Sequence, residues 1–176
     1  MWARASESPE EKAKGQQGGG QQSGGQQASR NSTCNAAIAL KVGQLSGGIR
    51  TNVAIQEQEL ISISTLQGIL ASNQSASEIK LQYETERQAL MVIQKMGVEA
   101  RTQNSVLAAE VQSPAQAGLK IVEGAQQVEI QQVSTLQGSR QADSDTLQLL
   151  SKEVIDGTRQ NWLNLVTADA QCPRMN

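Results

Sequence analysis

The chain has no histidine and no phenylalanine, one tyrosine (Tyr83), two tryptophans (Trp2 and Trp162), two cysteines and three prolines in 176 residues. Without histidine, the commonest general base and metal ligand are both missing. Cys34 and Cys172 are too few for a structural zinc site that has no imidazole to call on. A thiol nucleophile would also lack its usual partner. Aromatic side chains normally supply much of a compact core's buried area, and here they make up 2% of the residues, with an apolar fraction of 38%. A compact α/β or all-β core is therefore disfavoured, whereas long helices that bury thin aliphatic stripes remain open. No catalytic, cofactor-binding or metal-ligating residue is predicted, and an enzyme is not expected. The formal net charge of −2 gives no basic stripe, so no sequence-specific nucleic-acid partner is expected either.

Long hydrophobic runs are also missing. No stretch approaches the roughly 18 apolar residues of a membrane-spanning helix. The N-terminal "MWARASESPEEKAKG" lacks the apolar region of a secretory signal. As written, the chain is expected to be made in the cytoplasm. The nearest apolar candidate, "AAIALKVG", is short and interrupted by Lys41.

What is present begins with a low-complexity segment. Residues 1–33 include "GQQGGGQQSGGQQ", with too little apolar surface to offset the entropy of ordering it. No GK[ST] follows, so a phosphate-binding loop is excluded. A flexible tether or arm is expected. Ser32 or Thr33 then offers a cap for a short helix that Gly47 and Gly48 would end.

Beyond that point the apolar residues recur at helical steps. Val53, Leu60, Ile63, Leu66, Ile69 and Leu70 form one stripe, although "LISIST" alternates like a strand. Ser75 and Glu78 make a capping box, and Ser113-Pro114 is a strong helix start. Leu119, Val122, Ile130, Val133 and Leu136 form a further stripe. After "GSRQADSD", where Asp143 or Ser144 offers a new cap, Leu147, Leu150, Val154, Trp162 and Leu165 continue. Glycines 68, 97, 118, 124, 138 and 157 each weaken a helix by about 1 kcal/mol relative to alanine, so these helices need partners. Glu57, Glu59, Glu84 and Glu86 are read as solvated surface, because i and i+2 do not share a helix face.

The predicted class is all-α, a long helical hairpin or an elongated three-helix bundle with a disordered Gly/Gln-rich N-terminal tail. The helical domain spans 34–172, with breaks near 47–50, 72–75, 97–114 and 138–145.

One repeat stands out. "QEQELISISTLQG" (56–68) aligns with "QQVEIQQVSTLQG" (126–138), matching Gln56 with Gln126, Glu59 with Glu129, Leu60 with Ile130 and Ile63 with Val133. The offset is ten heptads, which keeps an apolar seam in phase. Duplication and chance in a Gln- and Ser-rich chain both account for it. Leu60, Ile63, Leu66, Gly68, Ile130, Val133, Leu136 and Gly138 are the predicted helix-packing residues, with the two glycines allowing close approach. A hairpin with its tip near 98–106 brings the repeats together and also brings Cys34 beside Cys172. Pro114 argues for a later turn, which would separate the cysteines unless a kink at 72–75 gives three unequal helices. The disulfide is thus a candidate that the sequence leaves open.

In texture, with a small opening segment "NAAIALKVGQLSGG" followed by long polar helices poor in aromatics, residues 31–170 resemble the short internal virion (ejection) proteins of short-tailed phages. That resemblance implies a non-enzymatic structural subunit, stored in the virion and expelled at infection. Such a subunit would join its own copies and other subunits in a conduit across the cell envelope for DNA delivery. It also implies transient membrane contact, for which Ala36, Ala37, Ile38, Leu40, Val42 and Leu45 are the candidates, and pairing of Cys34 with Cys172 only after delivery. Two alternatives are a Gln-rich helical minor pilin of a conjugative secretion system, which the chain also resembles, and a cytoplasmic coiled-coil scaffold.

Overall fold

A computed structural model describes residues 34–172, so the predicted arm at 1–33 lies outside the described residues. The described chain is all-α, with α1 at Ala36–Ala71, α2 at Ala76–Glu110, α3 at Gln116–Thr135 and α4 at Arg140–Asp169. There are four helices rather than two or three, because residues 111–115 and 136–139 are both full reversals.

Each reversal has a local cause. α1 starts at Asn35, whose side chain accepts the Ile38 N–H, rather than at Ser32 or Thr33. It ends at extended Ser72, and α2 opens with the full Ser75/Glu78 capping box. α2 then runs unbroken through 98–106, where a hairpin tip was expected. It ends instead at Val111, before Gln112 turns left-handed at φ 51°. Ser113 is buried and its Oγ accepts the Ala115 N–H, so the predicted cap works from two residues ahead of the helix proper.

The fourth helix depends on Asp143. Its carboxylate accepts the backbone N–H groups of Gln137, Gly138 and Ser139 and the Tyr83 hydroxyl, the last at 2.8 Å. Asp143 thus organises the turn from inside α4. Gly138 sits there at φ +79°, with the Tyr83 ring 3.3 Å from where a Cβ would lie. Burial, with the carboxylate beside it, pushes the Tyr83 phenol well above its ordinary value, so it stays a neutral donor.

The helices run up, down, up, down. α1 packs on α2 and α4, α3 packs on the same two, and the pairs α1/α3 and α2/α4 lie across the diagonals. Lys41–Glu110 and Ser62–Glu86 fix α1 against α2, and Ser46–Asp169 and Gln56–Asn161 fix α1 against α4. Two apolar clusters fill the bundle. Ile63, Leu66, Tyr83, Leu90, Val133, Leu136, Leu147 and Leu150 are central to the one at the 72–75 and 136–139 turns. Val42, Leu45, Ile49, Ala108, Val111, Leu119 and Leu165 are central to the one at the opposite end.

The expected break at 47–50 does not occur, and α1 passes straight through both glycines. The reason is packing: a Cβ at Gly48 would fall on the Oδ1 of Asn104 from α2. A helix interior tolerates a glycine when the neighbour's side chain fills the gap.

Cys34 and Cys172 form a disulfide with Cα atoms 5.7 Å apart, joining the start of α1 to the end of α4. Up-down-up-down topology returns the chain to its starting end, which is the geometry a hairpin turning at 111–115 could not supply. The bond closes a loop of 138 residues, and such long loops give about 4 kcal/mol of stabilisation. Replacing both cysteines by serine is expected to lower the unfolding free energy by about that amount, read by urea titration. A loss below about 1 kcal/mol would show that the bond adds nothing to the packing of α1 on α4.

Candidate functional site

Between the two apolar clusters the interior changes character. α1 places Asn52, Gln56 and Glu59 inward, α2 places Gln94, Arg101 and Asn104, α3 places Gln126 and Glu129, and α4 places Glu153, Asn161 and Asn164. All are buried, with Glu59 at 0%, Glu129 at 2% and Arg101 at 4% exposure. Arg101 is the one buried cation among the described residues, and it lies near the buried carboxylates of Glu59 from α1 and Glu129 from α3, with Glu153 from α4 next to Glu129.

Glycines make the layer sterically feasible. At Gly97, one turn before Arg101, a Cβ would lie 2.7 Å from the guanidinium Nη1 and 3.3 Å from Glu59 Oε1. The missing side chain lets Arg101 fold back over its own helix toward α1. On α4, Gly157 similarly admits the Gln56 amide, which accepts the Asn161 Nδ2–H at 2.8 Å. Across the diagonal, Gln126 Nε2 donates to Glu59 Oε1 at 3.5 Å.

Many of the remaining polar atoms have no protein partner. Arg101 Nε, Nη1 and Nη2, one oxygen each of Glu59, Glu129 and Glu153, Gln126 Oε1, and both ends of Asn52 and Asn104 are buried without one. Each such group costs about 1–3 kcal/mol unless it is hydrated. A cavity of about 70 Å³ between α2 and α3 reaches Arg101 and Gln126 and is lined also by Val98, Thr102, Glu123 and Gln127. That is room for several water molecules.

The charge states follow from this setting. Burial pushes the Glu59 carboxyl above its ordinary value, against the opposing pull of Arg101 and the Gln126 hydrogen bond. Glu129 is pushed up to about 7, first by burial and then by the Glu59 and Glu153 charges, again opposed by Arg101. Burial lowers the Arg101 value, and the two glutamates counter this. No group of three Asp, Glu, Cys or His among the described residues has metal-binding geometry. The layer is a buried ionic element in which one cation stands among several carboxylates.

The structure distributes the predicted residues unevenly. Ile63, Leu66, Val133 and Leu136 meet in one cluster and Leu60 packs against it, so both repeats contribute to the same core. Ile130 instead lies 36% exposed, because it falls off the inward stripe of α3. Gly68 is on the outer face of α1 with nothing near a Cβ position, so it makes no close approach. Gly138 does make one, but in a turn rather than a helix, so the pentapeptide adopts two conformations. Among the candidate membrane-facing residues, Val42 and Leu45 are in the core, Ile38 packs on it, and Ala36, Ala37 and Leu40 are exposed. The inward stripe of α1 already claims the two largest buried members of that segment. No helix among the described residues is long and apolar enough to cross a membrane.

Glu59 is not solvated surface, and Glu86 is half-buried and accepts the Ser62 hydroxyl, whereas Glu57 and Glu84 are exposed. The signal that points to Glu59 is the repeat itself: Gln56/Gln126 and Glu59/Glu129 keep the spacing of the apolar matches, and all four are buried. No protein family, no curated protein and no solved structure matches the chain.

Removing one member of a buried charge cluster costs about 3–5 kcal/mol, whereas replacing the whole cluster with apolar groups is neutral or stabilising. Arg101→Met alone is therefore expected to lower the unfolding free energy by about 3 kcal/mol. Glu59→Met, Arg101→Met, Glu129→Met and Glu153→Met combined should recover that loss. A combined variant less stable than the single one, by denaturant titration, would contradict this account of the layer.

Proposed function

We propose that the protein is a non-enzymatic structural subunit of a multimeric assembly that works in an oxidising compartment. One observation carries the reading. The apolar side chains are not confined to the core but recur on outward faces of the helices. Leu81, Val92 and Val106 share the outer face of α2, with Leu81 72% exposed. Ile155, Trp162 and Val166 share that of α4, with Val166 68% exposed. Helical steps of eleven and fourteen, or of seven and four, return to one face. Apolar rows of this kind on an otherwise polar bundle are suited to covering by neighbours.

Within this class we read the chain as an ejection-type virion protein that joins others in a conduit across the bacterial envelope. With Val42 and Leu45 in the core, any bilayer contact in the bundle state falls to Leu40 and the outer rows rather than to the whole 36–45 segment. The Cys34–Cys172 bond suits equally a second reading, a periplasmic minor pilin, since that too would work in an oxidising space.

The reading predicts a defined oligomer by light scattering, assembled by the oxidised protein with lipid vesicles or detergent present. Val166→Asp, at a side chain 68% exposed on the outer row of α4, should abolish it while changing unfolding free energy by less than about 0.5 kcal/mol. A monomer under every condition, oxidised and reduced, with and without lipid, would overturn the assembly reading. An oligomer indifferent to lipid would favour the pilin.

A further inference from the structure

Charge counting across the buried layer leaves an imbalance. Around Glu129 of α3 stand Glu59 of α1, Glu153 of α4 and a single cation, Arg101 of α2. No second cation among the described residues is buried beside them. With all three carboxylates ionised, the bundle interior would hold a net charge of −2, away from bulk water. Buried charge of that kind is relieved either by protonation or by opening the structure.

The helix that would open is identifiable. α3 is the shortest, with 20 residues. Along its α2 side run two clefts, of about 70 and 220 Å³, which share Glu123. The first of them reaches Arg101 at the layer. α1, by contrast, is tied to α4 by the disulfide and to α2 by the Lys41–Glu110 ion pair.

We propose that the layer is a proton-binding site that locks α3 into the bundle when Glu129 is neutral and loosens it when Glu129 ionises. Facing Glu129 are Glu59 of α1, Arg101 of α2 and Glu153 of α4, and Glu123 lies on its own helix at the cleft. Two of the facing groups push toward proton uptake and one opposes it.

The direction follows from linkage. A carboxyl whose value in the folded state lies above its unfolded value binds its proton more tightly in the native state. Its stabilisation is complete below the unfolded value and is lost as the pH rises through the folded one. The window therefore runs from 4.5 to about 7. Glu59 shifts in the same direction. Glu78 and Glu84 are held below their ordinary value by their hydrogen bonds, so they act only at lower pH. With no histidine in the chain and no free cysteine among the described residues, no imidazole or thiol among the described residues titrates in this window.

The test is urea unfolding of the full, disulfide-bonded chain between pH 4.5 and 8, with hydrogen exchange to locate the change. The unfolding constant is expected to rise by up to about tenfold per pH unit within the window, and Glu129→Gln should flatten that rise. Exchange in 116–135, corrected for its intrinsic pH dependence, should accelerate relative to that in α1. A wild-type protein whose stability is flat or increases across the window would overturn the proposal without any variant being needed. So would the same slope in Glu129→Gln, or acceleration spread evenly over all four helices.

Discussion

A single guanidinium sets the terms for the middle of this bundle. Arg101 reaches the interior because Gly97 leaves a gap for it, near the buried carboxylates of Glu59 and Glu129, the latter also neighboured by Glu153. Sliding any helix by a turn would bring an apolar cluster against this layer and strand buried charge. The layer thus selects one register among the several that thin aliphatic stripes alone would allow, a role best attested for buried polar groups in coiled coils. Its energetic contribution is small or negative, and its structural contribution is specificity.

The two ends are secured by different chemistry. At the far end, Asp143 gathers three backbone N–H groups and the Tyr83 hydroxyl, so the only tyrosine of the chain joins α2 to the α3/α4 turn. At the near end the Cys34–Cys172 bond does the joining. A chain so poor in aromatics has little apolar area to spare, and both devices compensate for that by means other than burial. α3, the shortest helix and one the disulfide does not reach, is left as the element whose packing depends most on the layer.

Much of the fold is legible in the sequence, for physical reasons that differ by element. Ser75/Glu78 and Ser113-Pro114 act locally, and both mark real helix starts to within two residues. The stripes through Ile63, Leu66, Val133 and Leu136 read directly as core. Gly47-Gly48 misleads because glycine near an apolar segment signals a helix end locally, while here its meaning is tertiary, set by Asn104 of α2. The candidate site is hidden for a related reason. Glutamate is usually a surface residue, and the sequence links the three charged groups only by position. Glu59 coincides with Glu129 in the repeat, and Arg101 stands midway between Leu66 and Leu136.

As proposed, the outer apolar side chains would meet neighbouring subunits, while the ionic layer would couple the firmness of the same bundle to pH. The most direct measurement is a carbon-13 NMR titration of the side-chain carboxyls of the intact, oxidised protein. One glutamate, assignable to Glu129 by its loss in Glu129→Gln, should titrate at about 7. If every glutamate titrates near 4.5, the ordinary carboxylate value, the layer is open to water and the account of the bundle interior is contradicted.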